Sequence, residues 1–234
     1  MAIYAISDLH LAKSIDKPMD IFGQRWQNYM EKLSNQWEQT VSQEDYVIIP
    51  GDVSWATYLE QAYEDFSFID RLPGKKIISK GNHDYWWTTL SKLEKFLRDN
   101  NFASISFMHN NSFDLGEAVL CGTRGWKCPG DSDFSAEDQK IFNRELQRLE
   151  LSLKSVKAGE GRAVIAALHY PPFNAKGQPS EFIEVMKRFN VRICLYGHLH
   201  GENFRSAVEG EVEGIDFKLI SADHLGFKPL KLNL

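Results

Sequence analysis

The sequence predicts an α/β protein with one mixed sheet or two packed sheets and with helices on the outside. Short apolar runs alternate with helical periodicity in the N-terminal part, which is typical of parallel strands joined by right-handed crossovers. A long helix and two more buried runs follow. The C-terminal part has turn glycines, Gly210 and Gly214, between short runs, which favours antiparallel strands.

Three strand–helix units are predicted in the N-terminal part. The strands are Ile3–Ser7, Tyr46–Ile49 and Lys76–Ser79. Apolar residues at helical spacing predict a helix after each strand. These residues are Phe22, Trp26, Met30, Leu33, Trp37 and Val41, then Tyr58, Ala62, Phe66 and Ile69, and finally Leu90, Leu93 and Leu97.

The middle of the chain changes character. Runs at 103–108 and 118–121 flank Asn110-Asn111 and predict a β-hairpin. The longest helix follows, because residues 135–138 resemble a capping box and the next apolar residues are spaced four and three apart. These apolar residues are Phe142, Leu146, Leu149, Leu153 and Val156.

The C-terminal third is predicted to contain two buried strands, Ala163–Leu168 and Val191–Tyr196. A short helix around Phe182–Phe189 separates them, and antiparallel strands are expected between Phe204 and Ser221. With 234 residues the chain fits a single domain, 1–234.

Composition and charge narrow the possible functions. A formal charge of −5 and a pI near 5.8 argue against a protein that coats nucleic acid. The chain has an odd number of cysteines, three, and shows neither a secretory leader nor an apolar run long enough to span a bilayer. We therefore expect a cytoplasmic protein that does not enter membranes. The sequence leaves its oligomeric state open.

Five of the predicted strands end in side chains that can bind a metal ion. Because sites in open α/β sheets collect beyond the carboxyl ends of the strands, these side chains are expected to meet at one edge. In chain order they are Asp8 and His10, Asp52, Asn82 with His83 and Asp84, His169, and His198 with His200.

The donor types favour manganese, iron or zinc over an all-thiolate zinc site, since the cysteines lie outside the set. Two metal ions roughly 3.5–4 Å apart can clamp the attacking and leaving oxygens of a phosphoryl displacement. Such a centre needs one ligand shared by both ions. The carboxylate of Asp52 suits that position.

In this order the five motifs resemble the calcineurin-like metallophosphoesterase superfamily, from Asp8 to His200. The resemblance implies an α/β/β/α sandwich of two packed mixed sheets and two divalent or trivalent metal ions. A bridging hydroxide would attack a small phosphorylated substrate. One metal would be held by Asp8, His10, Asp52 and His200, and the other by Asp52, Asn82, His169 and His198.

The same resemblance gives roles to His83 and Asp84, whereas the alternatives for Arg124, Trp86 and Trp87 come from their positions in the chain. His83 would contact the phosphate or protonate the leaving oxygen, and Asp84 would orient the His83 ring. Arg124 could either bind phosphate or pair with a carboxylate. Trp86 and Trp87 could line a substrate pocket, although a place in the core is the commoner use of tryptophan.

One departure bears on the substrate. Protein phosphatases of this superfamily carry an Asp-Arg-Gly soon after the Gly-Asp motif, whereas residues 53–56 here are Val-Ser-Trp-Ala. This departure argues against a protein Ser/Thr phosphatase. The substrate could be a phosphomonoester, or a phosphodiester of the cyclic-nucleotide or nuclease type. A non-catalytic scaffold that kept the fold is the alternative from another functional class.

Overall fold

The computed structural model describes residues 1–156 and 161–234. The helices are α1 (Tyr29–Thr40), α2 (Tyr63–Arg71), α3 (Leu90–Asp99), α4 (Ala136–Lys154) and α5 (Glu181–Arg188). The strands are β1 (Ile3–Ala5), β2 (Tyr46–Pro50), β3 (Lys75–Ser79), β4 (Ile105–Phe107), β5 (Phe113–Asp114), β6 (Ala118–Thr123), β7 (Ala163–Leu168), β8 (Val191–Tyr196), β9 (Gly210–Val212), β10 (Ile215–Leu219) and β11 (Leu230–Lys231).

These strands form two mixed sheets. The first has the order β11-β1-β2-β3-β4 and is parallel except for β11. The second has the order β5-β6-β7-β8-β10-β9, with a parallel centre and an antiparallel strand at each edge. The predicted fold class, two packed mixed sheets flanked by helices, is confirmed.

Successive side chains of a strand point to opposite faces of its sheet, and this divides the hydrophobic core into three layers. In β1, Ile3 and Ala5 face the second sheet, whereas Tyr4 packs with the first three helices. The layer between the sheets also contains Ile48 from β2 and Ile165 from β7. A third layer joins the outer face of the second sheet to α4 and α5. Because both faces of each sheet are covered, the central strands are almost continuously apolar.

The predicted hairpin across 103–121 is wrong. Strand β4 extends the first sheet in parallel with β3, whereas β6 lies in the second sheet. All six residues of β6 are buried, so this strand pairs with β7 in the sheet interior. The antiparallel neighbour of β6 is the short β5. Asn110-Asn111 therefore lie in the connection between sheets.

The predicted first helix is correct only over its C-terminal part. Two short 3-10 turns, Met19–Phe22 and Gln24–Trp26, precede α1. Between them Gly23 has a φ of 118°, a conformation that an L-residue rarely adopts and that a helix does not contain. Trp26 is nevertheless buried, so its side chain still faces the core as the helical spacing predicted.

At the C-terminal end, β9 and β10 form the expected antiparallel pair. The sequence did not predict that β10 runs parallel to β8. Phe204 lies in a 3-10 segment, Gly201–Ser206, rather than in a strand.

The capping box at the start of α4 is confirmed, since Ser135 N donates to Asp138 Oδ2 and Asp138 N donates to Ser135 Oγ. Trp86 is buried in the core, as predicted. The three cysteines are buried and unpaired. Across 1–156 and 161–234, none of the helices combines the length and apolarity needed to traverse a bilayer.

Candidate metal centre

The residues predicted at the strand ends converge on one buried cluster. His169, which follows β7, places its Nε2 atom 3.5 Å from Asp52 Oδ2 and its Nδ1 atom 3.9 Å from Asp8 Oδ1. His200, beyond β8, places Nε2 3.4 Å from Asp8 Oδ1. His10 Nε2 lies 3.8 Å from Asp52 Oδ2. Side chains up to 192 residues apart thus share one site, because parallel strands bring their carboxyl ends to a common edge.

Two groups of side chains in this cluster offer potential ligand atoms within 4.8 Å of one another. One contains Asp8, His10 and His200, and the other contains Asp8, Asp52 and His169. Asp8 belongs to both groups. Asp52 Oδ2 also lies between the groups, since it approaches His10 in one and His169 in the other.

Asn82 and His198 lie next to the second group. Asn82 Oδ1 is 2.7 Å from His169 Nε2. The His198 ring packs edge-on to the His169 ring, with centroids 5.2 Å apart, and its centroid lies 4.1 Å from that of the Tyr170 ring. The backbone N–H of His198 donates to Asp8. His198 therefore has a structural contact in addition to its predicted role as a ligand.

Four of the predicted residues have a left-handed backbone. The φ angles are 58° at Asp8, 47° at His10, 52° at Asp52 and 70° at His198. Such angles cost roughly 1–3 kcal/mol each in a non-glycine residue and concentrate at functional sites. Backbone hydrogen bonds hold the strained residues, since Asp8 N donates to Gly51 O and His10 N donates to Asp52 O. The left-handed backbone thus coincides with residues of the cluster.

Glycine is required at two points where backbone meets these side chains. A Cβ atom on Gly197 would collide with the Asp8 carboxylate and the Ser7 hydroxyl. A Cβ atom on Gly81 would collide with Asp52. The glycines of the Gly-His-x-His and Gly-Asn-His-Asp motifs therefore leave room for the two buried carboxylates.

Hydrogen bonds fix which nitrogen each histidine directs at the centre. His169 Nδ1 lies 3.1 Å from Pro50 O, which can only accept; with the proton on Nδ1, the lone pairs of Nε2 and of Asn82 Oδ1, 2.7 Å apart, can both bind a metal ion. His200 Nδ1 donates to Asp223 Oδ1 and likewise directs Nε2 inward. His10 stacks on the Trp55 ring with centroids 4.8 Å apart.

The charges in the cluster perturb one another strongly. Burial and the charges of Asp8 and Asp84 raise the pKa of Asp52 well above its usual range. Burial alone would raise the pKa of Asp8, but the hydrogen bond and charge of His200 hold it below its usual value. Burial lowers the pKa of His169 to about 4 and that of His198 to about 3. Two buried carboxylates surrounded by imidazoles are the environment that a cation stabilises.

The predicted pairing of Asp84 with the His83 ring is wrong. Asp84 is fully buried and accepts hydrogen bonds from the backbone N–H groups of Gly81, Asp52, Val53 and Ser54 and from Trp86 Nε1. It has no oxygen left for an imidazole because backbone donors from two loops surround it. Asp84 therefore joins the Gly-Asp loop to the Gly-Asn-His-Asp loop.

His83 itself lies at the edge of the cluster. Its Nε2 atom is 4.0 Å from Asp52 Oδ2, its side chain is 35% exposed, and its Nδ1 atom is buried without a partner in the described chain. Burial lowers the pKa of His83. The ring thus lies between solvent and the buried carboxylates.

Arg124 follows β6 and lies beside His169, because β6 and β7 are parallel neighbours. Its carbonyl accepts from His169 N, while its guanidinium lies 3.6 Å from buried Glu145 and over the Trp126 ring. These contacts favour the carboxylate-pairing alternative, and a role in substrate binding stays a prediction.

The sequence analysis does not identify Asp223 as a site residue. It is buried, contacts His200, and follows β10 at the same edge of the sheet. The strand-end rule would have identified it if β10 had been predicted as a parallel strand. Trp55 lies in the segment that departs from the phosphatase motif, and its ring contacts both His10 and His83.

Residues 1–202 match the family model described as calcineurin-like phosphoesterase. No curated protein sequence matches the chain significantly.

Several solved structures share the fold at low sequence identity. Phosphopantetheinyl hydrolase (PptH) from Mycobacterium tuberculosis is 12% identical, with a TM-score of 0.57 over 99% of this chain and 95% of that one. The protein of unknown function AQ665 from Aquifex aeolicus is 16% identical, with a TM-score of 0.51 over 98% and 95%. TT1561 from Thermus thermophilus is 13% identical, with a TM-score of 0.51 over 99% and 97%. These likenesses concern the fold alone.

Proposed function

The chain belongs to the calcineurin-like phosphoesterase family, and from this premise we propose that it hydrolyses phosphoesters with a pair of metal ions. The observation that carries the proposal is the position of Asp52. Its Oδ2 atom is within 4.0 Å of three imidazoles, those of His10, His83 and His169. A carboxylate placed between two groups of donors can be shared by two ions.

The donor set fits hard or borderline divalent ions. Asp8, His10, Asp52 and His200 would hold one ion, and Asp52, Asn82, His169 and His198 the other. Two further facts support this fit. His10 Nε2 and His200 Nε2 lie 3.4 Å apart, and the carboxylates of Asp8 and Asp52 repel one another in the absence of a cation.

When bound, the metal ions would polarise the phosphoryl group and acidify a water molecule. The chain supplies the remaining functions. His83 would donate a hydrogen bond to a phosphoryl oxygen or a proton to the leaving oxygen, since its ring is open to solvent on one side. Asp84 would hold the loops that carry Asp52 and Asn82 together through its hydrogen bonds. Asp223 would fix the tautomer of His200.

The experiment is metal analysis of the purified protein followed by a phosphoester panel with added Mn²⁺. We expect hydrolysis of p-nitrophenyl phosphate or of its bis-ester, and loss of both metal and turnover in Asp52→Asn. Asp99→Asn is the matched control, because that carboxylate is exposed and pairs with exposed Lys95. Turnover by a fully chelated Asp52→Asn sample would contradict the proposal.

The same panel separates the alternatives. Preference for the bis-ester would favour a phosphodiesterase, and preference for the monoester a phosphatase. Absence of turnover with Mn²⁺, Fe²⁺ and Zn²⁺, despite stoichiometric metal, would favour the non-catalytic scaffold. A cytoplasmic location and a single domain over 1–234 remain predictions.

A further inference from the structure

A cavity of about 1020 Å³ opens beside the proposed metal centre. His10, His83 and His200 line its inner end. A phosphate or a simple alkyl ester would fill only a small part of this volume, since drug-sized ligands occupy cavities of roughly 300–1,000 Å³. The group attached to the scissile phosphate is therefore expected to be large.

The walls of the cavity are apolar and aromatic. Met19, Phe22, Trp26 and Trp55 line it. Three of them lie on the 3-10 turns before α1, where the positive φ of Gly23 interrupts the helix predicted from sequence. Phe22 is 56% exposed, which is unusual for phenylalanine and leaves its ring available to a ligand.

Two arginines, Arg25 and Arg205, also line the cavity. In the described chain neither guanidinium forms an ion pair with a carboxylate, although the protein carries a net charge of −5. The guanidinium of Arg25 contacts the carbonyl of Asp223 and the Phe204 ring. Of the two acids in the lining, Asp223 binds His200, and Glu202 forms no ion pair with either arginine in the described chain.

We propose that this cavity binds the organic part of the substrate, and that this part is a ring-sized apolar group bearing a second anionic group. This inference rests on the proposed phosphoesterase function. The apolar walls would bind the ring, and Arg25 and Arg205 would bind the second anion through charge-assisted hydrogen bonds. The substrate class is thus an organic phosphoester with at least two anionic groups, rather than a simple phosphoester.

The first test is a kinetic series of three diesters that share the p-nitrophenyl leaving group. The retained group is methyl, thymidine, or thymidine with a second phosphate on the sugar. We expect kcat/KM to rise about tenfold from methyl to thymidine and about threefold to fivefold more with the second phosphate, mainly through KM. Equal kcat/KM for all three diesters would overturn the proposal.

Variants show which residues cause each of the two expected rises in kcat/KM. Phe22→Ser is expected to remove most of the gain from the thymidine ring, whereas Ile21→Ser should not, because Ile21 is adjacent and exposed but does not line the cavity. Arg25→Met and Arg205→Met are expected to remove the gain from the second phosphate. Arg98→Met, outside the cavity lining, is their control.

A binding measurement decides the proposal even if no diester is turned over. Tryptophan fluorescence of chelator-treated protein is titrated with thymidine monophosphate and with thymidine bisphosphate, since Trp26 and Trp55 line the cavity. The bisphosphate is expected to bind about threefold to fivefold more tightly, and Arg205→Met should abolish the difference. Equal affinities, or a difference that survives in both arginine variants, would overturn the cavity proposal. Tighter binding of the bisphosphate, together with no turnover of any phosphoester by the metal-loaded protein, would instead contradict the phosphoesterase proposal.

Discussion

The imidazole of His200 donates a hydrogen bond from Nδ1 to Asp223 Oδ1 over 2.9 Å. Burial alone would lower the pKa of His200, but the hydrogen bonds to Asp223 and Asp8 raise it to about 10. Asp223 thereby orients the ring so that Nε2 faces Asp8 Oδ1 at 3.4 Å. A buried carboxylate behind a histidine is the usual way in which proteins orient a metal ligand.

Asp223→Asn is expected to weaken metal binding about 10- to 100-fold, because the amide no longer fixes the His200 tautomer or raises ring basicity. The measurement is competition with a chromophoric chelator. Asp99→Asn should bind metal normally, and unchanged affinity in Asp223→Asn would show that Asp223 is dispensable.

Metal binding at pH 7 is expected to release protons, since metal ligands must be deprotonated. In the metal-free protein His200 has a pKa of about 10, and the pKa of Asp52 is raised well above its usual range. Titration calorimetry in buffers of different ionisation enthalpy measures this release. Asp223→Asn should release fewer protons. A binding enthalpy independent of buffer would contradict the assignment.

The proton on His200 is expected to make the metal-free protein lose stability as pH rises from about 7.5 to 9. His200 keeps its proton in the folded state up to about pH 10, whereas in the unfolded chain it titrates near 6.5, so for this group the folded state binds more protons in this window. Burial lowers the pKa values of His10, His83, His169 and His198, and these groups act in the opposite direction, but mainly below about pH 7.5, where the unfolded histidines still hold protons. Urea unfolding across this range in chelator measures the slope, which metal loading should remove. The contribution of His200 is the difference in slope between this protein and His200→Asn.

His83→Ala is expected to lower kcat about 10²- to 10⁴-fold and to leave metal content unchanged. The reason is that His83 lies at the solvent edge of the cluster and belongs to neither group of potential ligands. Metal analysis and phosphoester kinetics on the same sample provide both values. His109→Ala is the control. Loss of metal together with activity would place His83 among the ligands.

Lys76→Met is expected to reduce the free energy of unfolding by about 2–4 kcal/mol. The buried ammonium group has three N–H donors and lies within hydrogen-bonding distance of four oxygens, the carbonyls of Asp70, Leu72 and Gly74 and Ser104 Oγ. Urea unfolding measures the loss. Lys75→Met is the control, because Lys75 is half-exposed and its ammonium pairs with exposed Glu44. Equal stability of the two variants would contradict this account.

The alternation of strands and helices, the two buried runs after α4 and the capping box at Ser135 were predictable from local pattern alone. The strand-end residues Asp8, Asp52 and His169 were predictable for a related reason. When strands are parallel, their carboxyl ends share one edge, so chain order already indicates proximity. The interruption of the predicted first helix at Gly23 was not predictable, because the same continuous spacing of apolar residues also fits two 3-10 turns.

Sequence by itself determined the fold class and the set of donors that meet at the strand ends, because periodicity and residue type are local properties of the chain. Tertiary structure alone decided the partners: that β4 and β6 lie in different sheets, that β10 runs parallel to β8, and hence that Asp223 lies behind His200. It also decided that Asp84 binds backbone N–H groups instead of an imidazole. Pairing between strands and the burial of a carboxylate depend on segments distant in the chain, which no local pattern specifies.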